Sequence, residues 1–268
     1  MLEVVTYGID VSSNNDSSSA SIDWNAVAAS GQGFAWTKAT EGSNYINPDL
    51  RHNAAGIQAA GMVRGFYHFA RPDNNSPQAE VDFFLRAVGD LAPGDLVALD
   101  LEVGSGDLRA WAESWVSYCQ EQIGFTPMLY SGTWFLQPHN CLYSPILSKC
   151  GLWLSGYQEN MPSVPGMWNG IALWQFTDKA VVPGVPSAVD QSVFLGSVDE
   201  LKTYGKEGSV VDKSVEDQLV TILSVIGDQT YPDGSNMDEQ ASGQPAGVSH
   251  RVFQRELVQQ GKALLGAS

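Results

Sequence analysis

The sequence predicts an α/β fold whose parallel strands close into a barrel. Three observations lead there. Short runs rich in β-branched and aromatic residues recur through roughly the first 200 of the 268 residues. Amphipathic segments of helical length lie between the early runs, and the intervals shorten in the second half. Strand and helix in alternation imply right-handed crossovers and parallel pairing. Seven or eight strands in about 200 residues suit a closed barrel.

In chain order, the predicted strands are Tyr7 to Val11, Gly33 to Ala39, Met62 to Phe69, Leu96 to Leu101, Thr126 to Ser131, Leu152 to Tyr157 and Ile171 to Phe176. Val189 to Phe194 is the eighth. The predicted helices are Trp24 to Ser30, Asp49 to Ala60, Gln78 to Val88 and Leu108 to Ile123. A parallel barrel puts its working residues at the C-terminal ends of its strands. Asp10, Glu41, Asp100 with Glu102, and Asp190 all fall at or near such ends. Asp190 fits least well, because it lies at the start of its run.

Composition changes near Tyr204. All eight tryptophans lie at or before Trp174, and the rest of the chain carries clusters of Gly, Ser, Gln and Asp. The expected division is therefore a barrel over residues 1–205 and a helical tail over 206–268. Within the tail, Val215, Leu219, Ile222 and Ile226 repeat at helical spacing, and Phe253, Leu257 and Leu264 share a face of a second helix. A linker from Gln229 to Ser249 separates them. A hairpin packed on the barrel, self-association or assembly, and wall binding are all open to such a tail. Two heptads are too few for a stable coiled coil alone.

A net charge of −16 with only 14 Lys and Arg argues against nucleic acid, whose phosphates must be neutralised. No apolar run reaches the length that spans a bilayer. The start, Met1-Leu2-Glu3-Val4-Val5, lacks the basic and apolar regions of a secretory signal. The odd count of three cysteines rules out complete intramolecular pairing; Cys141 and Cys150 can close a short loop in an oxidising compartment or remain buried thiols, and Cys119 lies in a helical stretch with no histidine nearby in sequence. His52, His68, His139 and His250 show no metal-ligand spacing, and His68, inside a strand, reads as a hydrogen-bonded structural residue. No metal or other cofactor is expected. Nor is there a G-x-S-x-G elbow for a serine nucleophile.

The chemistry concentrates in Leu99-Asp100-Leu101-Glu102, at the end of the apolar run Leu96-Val97-Ala98-Leu99. Residues two apart in a strand share a face, roughly 6.5 to 7 Å apart along the backbone. Two carboxyls held together at the edge of an interior resist ionising, and one can stay protonated as a donor. Taken singly, each acid also has a plainer reading, as a surface carboxylate or an acceptor for backbone amides at a strand end.

Several strings together resemble the family 25 glycoside hydrolases, the lysozymes or N-acetylmuramidases. These are Tyr7-Gly8-Ile9-Asp10-Val11-Ser12 followed by Ile22-Asp23-Trp24, then Lys38-Ala39-Thr40-Glu41-Gly42, Gly65-Phe66-Tyr67-His68-Phe69-Ala70-Arg71-Pro72 and Leu99-Asp100-Leu101-Glu102. Trp174-Gln175-Phe176 and Val182-Pro183-Gly184-Val185 with Val189-Asp190 complete the order. The resemblance runs from about residue 6 to 204. It implies a flattened, irregular TIM-like barrel of five β/α units closed by β-strands. It also implies cleavage of the β-1,4 bond between N-acetylmuramic acid and N-acetylglucosamine in peptidoglycan, in the bacterial wall. On that resemblance the source is a phage endolysin or virion-borne lysin, released by a holin or carried in the particle. The different-class alternative is a phage structural or wall-binding component that retains the barrel.

The same resemblance implies the roles. Glu102 is the general acid, and Asp100 stays ionised beside it, stabilising the sugar cation or the substrate's acetamido group. Asp10 orients water or the reacting sugar, and Asp190 is a hydrogen-bonding support. Tyr67, Tyr130 and Trp174 offer stacking faces at the groove, each with a core role as its alternative. Glu41 and Lys38 form an ion pair or contact the sugar. Inverting, retaining and substrate-assisted routes are all compatible with this spacing. Two departures stand out: a long run rich in Ser and Asn from Ser13 to Ser21, and Trp36 in place of an aliphatic residue. Because both this chain and walls bearing teichoic acids are anionic, affinity should come from sugar contacts and not fall steeply with salt.

Overall fold

The computed structural model describes residues 5–15 and 21–206. Nine strands are present there: β1 (Thr6–Val11), β2 (Gln32–Glu41), β3 (Tyr45–Ile46), β4 (Val63–Phe69), β5 (Leu96–Asp100), β6 (Met128–Gly132), β7 (Leu152–Ser155), β8 (Leu173–Ala180) and β9 (Val189–Phe194). The helices are α1 (Trp24–Ala29), α2 (Leu50–Ala59), α3 (Pro77–Val88), α4 (Arg109–Ile123), α5 (Thr133–Leu136) and α6 (Val198–Thr203). All eight expected strands and all four expected helices are there, with ends moved by a few residues. The short β3, α5 and α6 are additions. The tail helices and their linker lie outside the described residues. Among the described residues no helix is long and apolar enough to cross a membrane.

Eight strands close the barrel in the order β1-β9-β8-β7-β6-β5-β4-β2, with β1 pairing β2 to complete the ring. β3 is an appendage on β2. Five units, β1α1, β2α2, β4α3, β5α4 and β6α5, precede the stretch where strands follow one another without a full helix. Every pairing in the ring is parallel except the two made by β9, which runs against both β8 and β1. This direction resolves the awkward position of Asp190. The start of an antiparallel strand lies at the same end of the barrel as the C-termini of its parallel neighbours, and Asp190 pairs in register with Asp10.

Local chemistry sets the helix ends. Asp23 caps α1 by accepting from the backbone N–H groups of Asn25 and Ala26. Ser76 caps α3, with Pro77 at its first position. α4 ends on Gly124 at φ 81°, in the left-handed region glycine tolerates. Ser197 and Glu200 form a reciprocal capping box on α6.

The interior is filled by alternate residues of successive strands, as the two-residue period requires. Phe34, Trp36, Leu96, Ala98, Met128, Trp153, Leu173 and Phe194 form one cluster, and Leu201 from α6 joins it. These are mostly residues near the strand starts, so α6 stoppers the end opposite the acids. Trp36, the unusual residue of β2, is fully buried and stacks on Trp153 with ring centroids 4.8 Å apart. Room for it comes from the next strand: a Cβ on Gly65 would lie 2.2 Å from the Trp36 ring. The glycine and the tryptophan are one packing unit. On the outside, Ile9, Val11, Ala35 and Val189 pack with Trp24, Val27 and Ile57 of α1 and α2.

Cys119, Cys141 and Cys150 are all free and buried. Of the two readings open for Cys141 and Cys150, the thiol one holds. Burial pushes both thiols up to about 12, which disfavours the reactive thiolate.

Candidate active site

At the C-terminal mouth of the barrel lies a cavity of about 280 Å³. Asp10, Asp100, Glu102 and Asp190 all line it. They arrive from different strands. Asp10 is the inward residue near the end of β1, opposite Asp190 of β9, and Asp100 ends β5. Glu102 lies past the end of β5, yet the chain there stays tied to β6. The Leu101 N–H donates to Tyr130 O at 3.0 Å, and Ser131 Oγ donates to Leu101 O at 2.6 Å. Leu101 is thus tied to β6 through both its N–H and its C=O, and Glu102 lines the same cavity as Asp100.

Gln175 organises the floor. Its Nε2 donates to Asp10 Oδ2 at 2.8 Å, while its Oε1 accepts from the hydroxyls of Tyr130 and Tyr157, each at 2.8 Å. Tyr157 Oη also reaches Asp190 Oδ1 at 3.5 Å. The Oδ1 atom of Asp100, by contrast, is buried with no hydrogen-bond partner. A buried acceptor in that state is costly and demands a donor.

All four carboxyls are held above their ordinary range, for related reasons. Asp10 is raised well above it by burial and then by the charge of Asp190, against the opposing hydrogen bond from Gln175. Asp100 is likewise raised well above it by burial and by Glu102, with Lys38 opposing. Glu102 is raised by burial and by Asp190, again opposed by Lys38. Asp190 is raised by burial and by Asp178. Groups this close titrate as a set, not singly. One expectation changes here. Asp100 is the deeper acid, only 5% exposed, and burial favours its neutral form rather than the ionised form expected beside Glu102.

The aromatic residues divide. Tyr67 and Tyr130 line the cavity as expected, and burial raises both phenols, so they act as neutral hydroxyls. Trp174 does not line it. With Leu173 facing inward, Trp174 faces out, 2% exposed, its indole donating to Gly156 O at 2.8 Å. Its neighbour Gln175 takes the inward place. Trp153 and Tyr157 supply the aromatic wall instead, and neither was singled out from the sequence. The signal was parity: Trp153 and Leu173 pair in register, which puts Gln175 and not Trp174 in the mouth.

Glu41 also lies outside the cavity lining. It accepts from Lys38 Nζ at 2.6 Å and from Arg71 Nε at 2.8 Å, and it is Lys38 that lines the wall. His68 sits in a buried network as expected, with Nε2 2.7 Å from Glu80 Oε2 and Nδ1 2.8 Å from Thr40 Oγ1. Burial lowers its affinity for a proton.

Residues 9–185 match the family model described as glycosyl hydrolases family 25. YegX of Escherichia coli K12, described as uncharacterized, is 31% identical over 209 residues, 74% of this chain and 72% of that protein. Among solved structures, the bacterial lysozyme from Streptomyces coelicolor superposes with a TM-score of 0.70 at 28% identity, over 76% of this chain and 98% of that one. The muramidase from Trichobolus zukalii gives 0.67 at 31% identity, over 75% and 99%.

Proposed function

The chain belongs to family 25 of the glycosyl hydrolases, and from that premise we propose that it is a muramidase. It hydrolyses the β-1,4 bond between N-acetylmuramic acid and N-acetylglucosamine in peptidoglycan. The observation that carries the reading is the meeting of four carboxyls, all resisting ionisation, in one aromatic-walled cavity at the barrel mouth.

Glycoside cleavage needs a proton on the leaving oxygen and negative charge facing an oxocarbenium-like centre. Glu102 is assigned the first task. It is the partly exposed member of the acid pair, within reach of a bound glycan, and its raised affinity for a proton keeps it a donor toward neutral pH. Its O–H proton passes to the glycosidic oxygen as the bond from the anomeric carbon breaks. Water adding to that carbon returns a proton to the site. Asp100 is assigned to the sugar: its unpartnered Oδ1 accepts a substrate N–H. Asp10, held by Gln175, orients water or the reacting sugar, and Asp190 supports it through Tyr157. Tyr67, Tyr130 and Trp153 give the sugar its aromatic surround.

The test is release of new reducing ends from purified peptidoglycan. Wild type should release them, and Glu102→Gln should lose about 10²–10⁴-fold of that rate with no loss of melting temperature, since the carboxyl it replaces is held above its ordinary range in the folded state. No release by wild type, or undiminished release by the variant, rejects the assignment.

The same proposal extends to a bacteriophage lysin acting at the host wall, with residues 206–268 serving self-association or assembly. The separate role for residues 206–268 is supported by the compositional break at Tyr204. Light scattering on the full chain and on residues 1–205 decides the second point, since a monomer mass for both rejects self-association.

A further inference from the structure

Lys38 is the one Lys or Arg in the cavity wall among the described residues. Its place is built by an irregularity in the strand. Phe34, Trp36 and Lys38 face inward in regular alternation, after which the register of β2 against β4 shifts between Lys38 and Thr40. Residues three apart in a regular strand point to opposite faces. An extra residue in the strand reverses that parity and re-aims the side chain beyond it. Glu41 therefore comes round to meet Lys38, with Oε2 2.6 Å from Nζ.

Glu41 is itself clamped. Its Oε1 accepts from Nε of Arg71 at 2.8 Å and from Nη2 of the same guanidinium. Burial alone would raise the Glu41 carboxyl, but the hydrogen bonds from Lys38 and Arg71 outweigh it and hold it ionised. The Lys38 ammonium is further fixed over the Phe69 ring, 4.6 Å from its centroid, with Tyr45 at 5.6 Å. Arg71 lies over the same Phe69 ring at 4.8 Å. The charge on Lys38 is thus rigidly aimed.

We propose that Lys38 is a positioning residue whose fixed positive charge, held by the Glu41–Arg71 clamp, sets the pH range over which the four-carboxyl cavity works. This rests on the muramidase reading. The titratable and charged groups around Lys38 are Glu41 on its own strand, Tyr45 on β3, Tyr67 and His68 on β4 with Arg71 beyond it, Asp100 and Glu102 at β5, and Asp10 and Asp190 across the mouth. Lys38 opposes the upward push on Asp100 and Glu102. Glu41, placed outside the cavity, holds Lys38 and raises Asp100.

The experiment is the pH profile of reducing-end release for wild type, Lys38→Met, Lys38→Arg and Glu41→Gln. An opposite charge on the same wall lowers a carboxyl's affinity for a proton, and removing it raises that affinity. Lys38→Met should therefore shift the midpoints of the profile upward. Lys38→Arg should restore most of the wild-type profile, and Glu41→Gln, which removes a negative charge that raises Asp100 and leaves Lys38 less compensated, should shift it downward. An active Lys38→Met with wild-type midpoints overturns the proposal.

Melting temperature against pH reads the same effect without catalysis. A carboxyl raised in the folded state stabilises below its unfolded value, and that stability is lost as pH rises through the folded value. As pH rises above the ordinary carboxylate range, Lys38→Met should lose more stability than wild type, and parallel curves overturn the proposal. A wild type inactive on peptidoglycan whose melting curves still diverge rejects the muramidase reading and leaves the electrostatic role of Lys38 standing.

Discussion

Asp100→Asn separates the stability of the barrel from its chemistry. The Asp100 carboxyl is buried, has an oxygen without a donor, and sits beside Glu102, which raises it further. In the unfolded chain an aspartate titrates near 3.9. The folded state therefore binds this proton more tightly than the unfolded state, and stability falls as pH rises above about 4. Each pH unit of that window is worth about 1.4 kcal/mol, so between pH 4 and pH 7 the cost reaches at most about 4 kcal/mol. Asparagine keeps the shape and cannot ionise. The variant should be more stable than wild type at pH 7 by about 1–4 kcal/mol, which is about 2–4 °C of melting temperature for each kcal/mol in a domain of this size. At pH 3, where the wild-type carboxyl is almost wholly protonated in both states, the gain should nearly vanish. Thermal unfolding by calorimetry at fixed ionic strength, at both pH values, measures it. A variant less stable than wild type at pH 7, or equally stabilised at both, refutes the reasoning. The reducing-end rate should fall in the same protein, because the acid that costs stability is the one proposed to serve the sugar.

Gly65→Ala should cost about 1–3 kcal/mol in thermal unfolding, since its Cβ would meet the Trp36 ring and Trp153 blocks the ring's retreat. An unchanged melting temperature would remove the glycine–tryptophan unit from the account of the core. Trp174→Phe should leave the KM for peptidoglycan fragments unchanged while lowering stability by about 1 kcal/mol for the lost indole bond to Gly156. A tenfold rise in KM would return Trp174 to the sugar site.

Much of the architecture is carried by local pattern. Period-two apolar runs alternating with helical segments are enough to specify strands, helices and parallel pairing, because burial of one face is decided within each segment. Asp100 and Glu102 were legible as a pair for the same reason: their relation is two residues long. Gln175 was not singled out, because its importance depends on which parity of β8 faces in, and both parities of Leu173-Trp174-Gln175 are apolar or amphipathic enough to be buried. Lys38 and Glu41 show the same limit, since a register shift in β2 reverses the facing that regular alternation implies.

The sequence by itself determined the barrel class, the order of its elements, and the acids that reach its mouth. The tertiary structure decided the direction of β9, the inward choice of Gln175 over Trp174, the clamp on Lys38, and the free state of the cysteines. It also decided that Asp100, not Glu102, lies in the deeper place. The physical reason is the same throughout. Segment identity follows from short-range periodicity, whereas ring closure, strand parity and the burial of a charge are set by contacts between residues far apart in the chain.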